Sequence, residues 1–159
     1  MSGMSVAPQS PKLHAWLEPP QMDTGAPCPA IHSDEHRLLC AYYVSEEEVP
    51  VGKVAILRFD GVLQFRLGYP NDEALRGHPL AKHGLENYHA YFVENSHLIA
   101  EIENQNRLHR AFRPGMYGRF RHWIVTFHDE TLEVVALRAA IVGRSQLSPD
   151  RAVCGLSPD

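Results

Sequence analysis

The segment that decides the predicted fold lies between residues 122 and 137 and reads HWIVTFHDETLEVVAL. Apolar and polar side chains alternate on both sides of a polar break, which is the pattern of an antiparallel hairpin. A two-residue turn at Asp129-Glu130 pairs Phe127 with Leu132. The predicted buried face then carries six side chains: Trp123, Val125, Phe127, Leu132, Val134 and Ala136.

A second hairpin is predicted between Val54 and Leu67, where Asp60-Gly61 interrupts two apolar runs. Asp-Gly suits a two-residue type I′ turn because both positions tolerate positive φ. The register of that turn places one set of apolar side chains on a common core face: Val54, Ile56, Leu63, Phe65 and Leu67.

The remaining elements fix the predicted fold class. Residues 38–44 indicate a strand that is buried on both faces, and residues 88–93 indicate another strand. Asn95 or Ser96 can cap a helix that begins at His97 and ends near His109. We therefore predict an α+β fold, mainly an antiparallel sheet of about six strands in the order β-β-β-β-α-β-β, with one helix packed on a face.

Composition divides the chain into three predicted parts. Residues 1–34 are expected to be a disordered tail, because six of the twelve prolines fall within the first 29 residues. Residues 35–144 are expected to form a single α+β domain. Residues 145–159 are expected to form a second disordered tail.

Charge and cysteine content exclude some classes of protein. A net charge of −4 argues against a surface built as a whole for nucleic acid. The three cysteines, Cys28, Cys40 and Cys154, do not form a disulfide framework and favour a reducing, cytoplasmic location. No apolar run has the length of a signal-peptide core or a membrane span, so we expect no membrane contact.

The segment 107–123 has the most unusual local composition. It is basic and aromatic, and no acidic residue lies between Glu103 and Asp129. Arginine offers bidentate donors to phosphate or carboxylate, and aromatic rings offer stacking faces. A solvated helix end is the alternative interpretation. The predicted anion-binding residues are Arg107, Arg110, Arg113, Tyr117, Arg119 and Arg121.

Polar residues of the 122–137 hairpin suggest a second candidate site. His128, Glu133 and Thr126 share the face opposite the apolar one, and an imidazole beside a carboxylate suits acid/base chemistry. The alternative is an ordinary solvated sheet face. No HxxxH, HExxH, GxSxG or phosphate-loop motif occurs, so no cofactor is implied. The candidate metal ligands are His78, His83, His122 and His128.

Three functional hypotheses follow. The first is a non-catalytic binding or regulatory module that engages an anionic small molecule, protein or nucleic acid through residues 107–123. The second is a small acid/base or metal-dependent enzyme that uses His128 and Glu133, with the long loop 68–87 closing over a ligand. The third is a subunit or inhibitor in a protein complex that docks its proline-rich leader onto another chain. The sequence leaves the oligomeric state open.

Overall fold

The computed structural model describes residues 7–155, in which nine strands form two antiparallel sheets. In chain order the strands are β1 (Lys12–Ala15), β2 (Ala30–Ser33), β3 (Arg37–Tyr43), β4 (Val54–Asp60), β5 (Gln64–Gly68), β6 (Ala90–Glu94), β7 (Arg121–Thr126), β8 (Thr131–Ala136) and β9 (Arg138–Ser145). The helices are α1 (His97–Gln105) and α2 (Pro149–Gly155), and short 3-10 helices span Glu46–Val51, Leu75–Gly77, Ala81–His83 and Asn106–Leu108. One sheet has the order β1-β6-β7-β8-β5 and the other β2-β3-β4-β9.

The core lies between the two sheets. The six side chains predicted for the buried face of the 122–137 hairpin all belong to it, which confirms that part of the prediction. Aromatic contacts join the sheets: the ring centroids of Phe59 and Trp123 are 5.8 Å apart, and those of Tyr42 and Phe127 are 5.4 Å apart. Each fully buried side chain of this size stabilises the fold by about 1.5–3 kcal/mol.

The register of the β7-β8 hairpin differs from the predicted one by two residues. Thr126 pairs with Thr131 and Trp123 with Val134, so the connecting loop is longer than a two-residue turn. Side chains alternate with a period of two along a strand, and a shift of two residues therefore leaves every side chain on its predicted face.

The predicted hairpin across Asp60-Gly61 is wrong. β4 pairs with β3 and β9, whereas β5 pairs with β8 in the other sheet. β4 is buried on both faces and has a partner on each edge, which leaves no edge for β5. Gly61, with φ 66°, instead lets the chain cross from one sheet to the other. Leu63 and Phe65 are partly exposed rather than central to the core.

The terminal segments are also more ordered than predicted. Within residues 7–33, β1 pairs with β6 and β2 pairs with β3. Both are edge strands, where proline-rich flanks are tolerated because an edge strand needs a partner on only one side. At the other end, β9 runs to Ser145 and α2 follows it. The outer parts of both predicted tails, residues 1–6 and 156–159, lie outside the described residues.

A helix and a loop lie side by side on the outer face of the five-stranded sheet. α1 begins where predicted and ends earlier, at Gln105, and it packs Leu98 and Ile102 against this face. The loop between β5 and β6 packs Leu75 and Leu80 beside it. The polar face of the β7-β8 hairpin is therefore buried under a helix and a loop instead of being solvated.

The short helix α2 covers the outer face of the four-stranded sheet. Its Ala152 and Val153 pack against Leu39 and Ile56. The sequence-based prediction did not include this helix. No helix within residues 7–155 is long and apolar enough to cross a membrane.

Candidate functional site

Glu133 is the centre of a buried polar network on the outer face of the five-stranded sheet. β8 places its carboxylate beneath α1 and the β5-β6 loop, with a side-chain exposure of 5%. Oε1 accepts a hydrogen bond from Nε2 of His122 at 3.0 Å. Oε2 accepts from Nε of Arg66 at 2.5 Å and from Nε2 of His78 at 3.3 Å. A charge buried this deeply is tolerated only when it is paired and hydrogen-bonded.

The network keeps Glu133 ionised. Burial opposes ionisation, but the hydrogen bonds from His122, His78 and Arg66 outweigh it and hold the pKa of Glu133 well below its usual range. An ionised carboxylate can only accept hydrogen bonds, so both histidines must donate to it from Nε2.

These hydrogen bonds determine which ring nitrogens carry protons. The Leu80 N–H lies 3.0 Å from Nδ1 of His78 and donates to it, so both ring nitrogens of His78 are engaged. Nδ1 of His122 lies 2.8 Å from Oγ of Ser96. Because Ser96 Oγ already accepts the N–H of Ile99, at 3.2 Å, its own proton is free to be donated to His122. A continuous chain of hydrogen bonds therefore runs from Ser96 through His122 to Glu133.

The local backbone explains the position of Ser96. β6 ends at Glu94, Asn95 adopts a positive φ of 56°, and α1 begins at His97. This sharp strand-to-helix turn makes Ser96 the N-cap of α1. The N–H groups of His97 and Leu98 lie in the first helical turn, where no intrahelical carbonyl can pair with them.

Two cavities meet at this network. A cavity of about 310 Å³, here called the histidine pocket, is lined by His78, His122 and Glu133 together with apolar residues of the loop and α1. A larger cavity of about 850 Å³, here called the aromatic groove, has Ser96 in its wall. The groove is also lined by Phe92, His97, Ile99, Tyr117, Phe120 and Arg121.

The predicted catalytic residues are only partly brought together. Glu133 is at the centre of the network, but His128 lies in the β7-β8 turn, where its Nδ1 is 2.9 Å from Oδ2 of Asp72. Thr126 is a structural anchor, because its hydroxyl donates to the Glu86 carbonyl at 2.7 Å. The histidine partners of Glu133 are therefore His122 and His78 rather than His128.

The candidate metal ligands do not converge on one point. His78 and His122 both contact Glu133, and His83 lines the histidine pocket, whereas His128 pairs with Asp72. In residues 7–155, no group of three or more His, Cys, Asp or Glu side chains is arranged to hold a metal ion. The carboxylate oxygens of Glu133 instead accept hydrogen bonds from Arg66, His78 and His122.

The predicted anion-binding residues divide into two groups. Tyr117 and Arg121 line the aromatic groove, and the other four lie on the exposed surface around it. Three guanidinium groups lie over aromatic rings: Arg107 over Phe112, Arg119 over Phe120 and Arg121 over Phe92. Within the described part of the chain, none of the five arginines of this segment forms an ion pair with an acidic side chain. All five are exposed: Arg107, Arg110, Arg113, Arg119 and Arg121.

Sequence reasoning missed Ser96 as a functional residue. It identified this serine only as a helix cap, because the chain has no GxSxG motif. The available signal was the position of a serine between a predicted strand and a predicted helix. Arg66 was also missed, since the predicted hairpin placed it away from Glu133.

Comparison with protein-family models, with curated proteins and with solved structures found no match to this chain. Its chemistry is therefore inferred from the site. A hydroxyl, an imidazole and a carboxylate in hydrogen-bonded succession form the arrangement by which acyl-transfer enzymes activate a serine.

Proposed function

We propose that this protein is a hydrolase that cleaves carboxylic esters through a covalent acyl-serine intermediate. Ser96 is the nucleophile, His122 is the general base and then the general acid, and Glu133 orients and stabilises the imidazole. The observation that carries the proposal is the pair of hydrogen bonds at His122: 2.8 Å to Ser96 Oγ and 3.0 Å to Glu133 Oε1.

The proposed reaction has two halves. Ser96 Oγ attacks the ester carbonyl carbon while its proton passes to Nδ1 of His122, and the resulting imidazolium protonates the departing alcohol. Water then attacks the acyl-serine ester, gives one proton to His122, and releases the carboxylic acid as the proton returns to Ser96. We assign stabilisation of the oxyanion formed in each half to the N–H groups of His97 and Leu98, which lie in the first turn of α1.

The surroundings of Glu133 support this division of roles. Because His78 and Arg66 also donate to it, the carboxylate stays ionised and does not take the proton from His122. It can then stabilise the imidazolium electrostatically, as the carboxylate of a catalytic triad does. A network of buried charges is rarely the most stabilising way to fill such a space, which also favours a functional role.

Labelling with a fluorophosphonate, which modifies activated serines, tests the proposal directly. We expect the mass of the peptide that contains Ser96 to increase, and 4-nitrophenyl acetate to be hydrolysed above the buffer rate. Ser96→Asn and His122→Gln should remove both signals. Asparagine retains an N-cap acceptor, so Ser96→Asn separates the nucleophile from the helix cap.

Ser45→Ala is the matched control, because Ser45 is another serine at an N-cap position and its side chain makes no capping hydrogen bond. This variant should behave as the unmodified protein does. Absence of labelling and hydrolysis in a folded protein would refute the proposal, as would full activity in Ser96→Asn.

A second candidate function is binding of an anionic partner by residues 107–123. The observation that favours it is the set of five exposed arginines without ion pairs in the described residues. Charge reversal in Arg113→Glu and Arg119→Glu should abolish binding to an immobilised polyanion and its salt dependence. Binding that survives unchanged would exclude this function.

The hypothesis of a leader that docks onto another chain stays a prediction. Residues 12–15 and 30–33 pair within the two sheets of this chain. The proposed cytoplasmic location, in contrast, agrees with three free cysteines among the described residues. That location remains a proposal.

A further inference from the structure

The aromatic groove contains a guanidinium group that no acid of the described chain neutralises. Arg121 belongs to β7 and lies over the ring of Phe92 on β6, with its guanidinium carbon 4.9 Å from the ring centroid. From the strand on the other side, the ring of His14 stacks on Phe92 at 4.8 Å. The floor of the groove is thus one aromatic ring with a basic side chain from each neighbouring strand.

The two acidic residues of the groove have other partners. Glu94 is hydrogen-bonded to Nε2 of His14 at 2.7 Å, and Glu103 accepts the N–H of Gly115 at 3.5 Å. Arg121 is exposed, and its planar donors suit a carboxylate. The cation–π contact fixes its position beside the groove instead of leaving it free in solvent.

The remaining lining defines what lies between Arg121 and Ser96. Its main apolar side chains are Ile99, Tyr117 and Phe120, and polar residues such as Asn95 and His97 also line it. Phe92, beneath Arg121, precedes Ser96 by four residues. Arg121 and Ser96 both line the groove, so one ligand can contact the two side chains. A ligand that spans them needs a charged end and a short apolar chain.

We infer that the substrate is a monoanionic ester whose acyl chain ends in a carboxylate: the carboxylate binds Arg121 and the ester carbonyl lies at Ser96. The catalytic part of this inference rests on the hydrolase proposed above. Recognition of the carboxylate rests on Arg121, Phe92 and the apolar wall, and it can be tested separately. A half-ester of a short dicarboxylic acid has the required shape and charge.

Kinetics on two esters test the inference. The unmodified protein should have a kcat/KM for mono-4-nitrophenyl glutarate about tenfold above that for 4-nitrophenyl butyrate, which corresponds to about 1.4 kcal/mol. Arg121→Gln should abolish this preference by lowering kcat/KM for the glutarate ester about tenfold relative to that for the butyrate ester. Arg110→Gln is the matched control, since Arg110 is also exposed and lies outside the groove lining. It should keep the preference.

Binding to the Ser96→Asn variant separates the two proposals. Monomethyl glutarate, followed by saturation-transfer NMR, should bind to this variant, and the added change Arg121→Gln should weaken binding about tenfold. If fluorophosphonate labelling fails but this binding depends on Arg121, the hydrolase is wrong and carboxylate recognition stands. If labelling succeeds but Arg121→Gln alters neither the preference nor the binding, carboxylate recognition is wrong.

Discussion

The hydroxyl of Ser96 lies 2.8 Å from Nδ1 of His122, although the two residues belong to different elements and are 26 positions apart. Ser96 occupies the turn between β6 and α1, whereas His122 is fixed on β7, which pairs with β6. The strand pairing therefore sets the distance between nucleophile and base. This rigidity is the property that proton transfer between them requires.

Replacing the base should abolish turnover. We expect His122→Gln to lower kcat for 4-nitrophenyl acetate by about 10³-fold or more, because Ser96 then has no proton acceptor. Glutamine can still donate to Glu133, so circular dichroism should show a folded protein. A loss of less than tenfold would contradict the assigned role.

The carboxylate of Glu133 should stabilise the fold as well as orient His122. Glu133→Ala leaves the protons of Arg66, His78 and His122 without their acceptor, and we expect the free energy of unfolding to fall by about 3–5 kcal/mol. Urea denaturation monitored by tryptophan fluorescence measures this change. Thr131→Ala, the loss of a smaller buried group on the same strand, should cost clearly less.

The pH dependence of stability follows from the lowered pKa of Glu133. Because this pKa is lower in the folded protein than in the unfolded one, the stabilisation is fully present above the unfolded pKa, near 4.3. It is lost progressively as the pH falls below that value. Urea midpoints between pH 7 and pH 3 should therefore drop more steeply for the unmodified protein than for Glu133→Gln. Parallel curves would show that Glu133 is not held ionised.

The two candidate histidines should differ sharply in function. His128 contacts Asp72 in the β7-β8 turn, outside the Ser96–His122–Glu133 path. We expect His128→Ala to leave ester hydrolysis within about twofold, in contrast to His122→Gln. Abolition of hydrolysis by His128→Ala in a folded protein would restore the site that sequence reasoning predicted.

The crossing between sheets should depend on a glycine. A Cβ at Gly61 would lie 2.6 Å from Cδ1 of Leu137, and the backbone there has φ 66°. We expect Gly61→Ala to destabilise the protein by at least about 1–2 kcal/mol in urea denaturation. Gly77→Ala is the control, because a Cβ at that position meets no atom within 4 Å. Equal effects at both positions would contradict this explanation.

The sequence predicted the faces of strands better than their partners. Alternation identified all six core residues of the β7-β8 hairpin, because side-chain period depends only on local geometry. It assigned β4 and β5 to one hairpin because the Asp-Gly pair favours a tight turn. Whether the strands flanking a turn pair or diverge is decided by which edges are free. Both edges of β4 are occupied, by β3 and by β9, and β9 is distant from it in sequence.

The candidate site was predictable only in part for a related reason. Glu133 and His122 share a strand face, so alternation brought both into consideration. Ser96 and Arg66 join them through β6 and β5, whose positions in the sheet no local pattern reveals. Burial of that face was unforeseen, because the loop that covers it carries its leucines without a regular period.

The pairing of β1 has a consequence for how the protein folds while it is being synthesised. Lys12 pairs with Glu94, and Val54 pairs with Ser145, so each sheet joins segments that are synthesised far apart in time. A nascent chain exposes β1 through β5 well before β8 and β9 leave the ribosome. Pairings of such long range form slowly and leave strand edges open meanwhile. Aggregation during translation, rather than after it, is thus the hazard to which this topology exposes the chain.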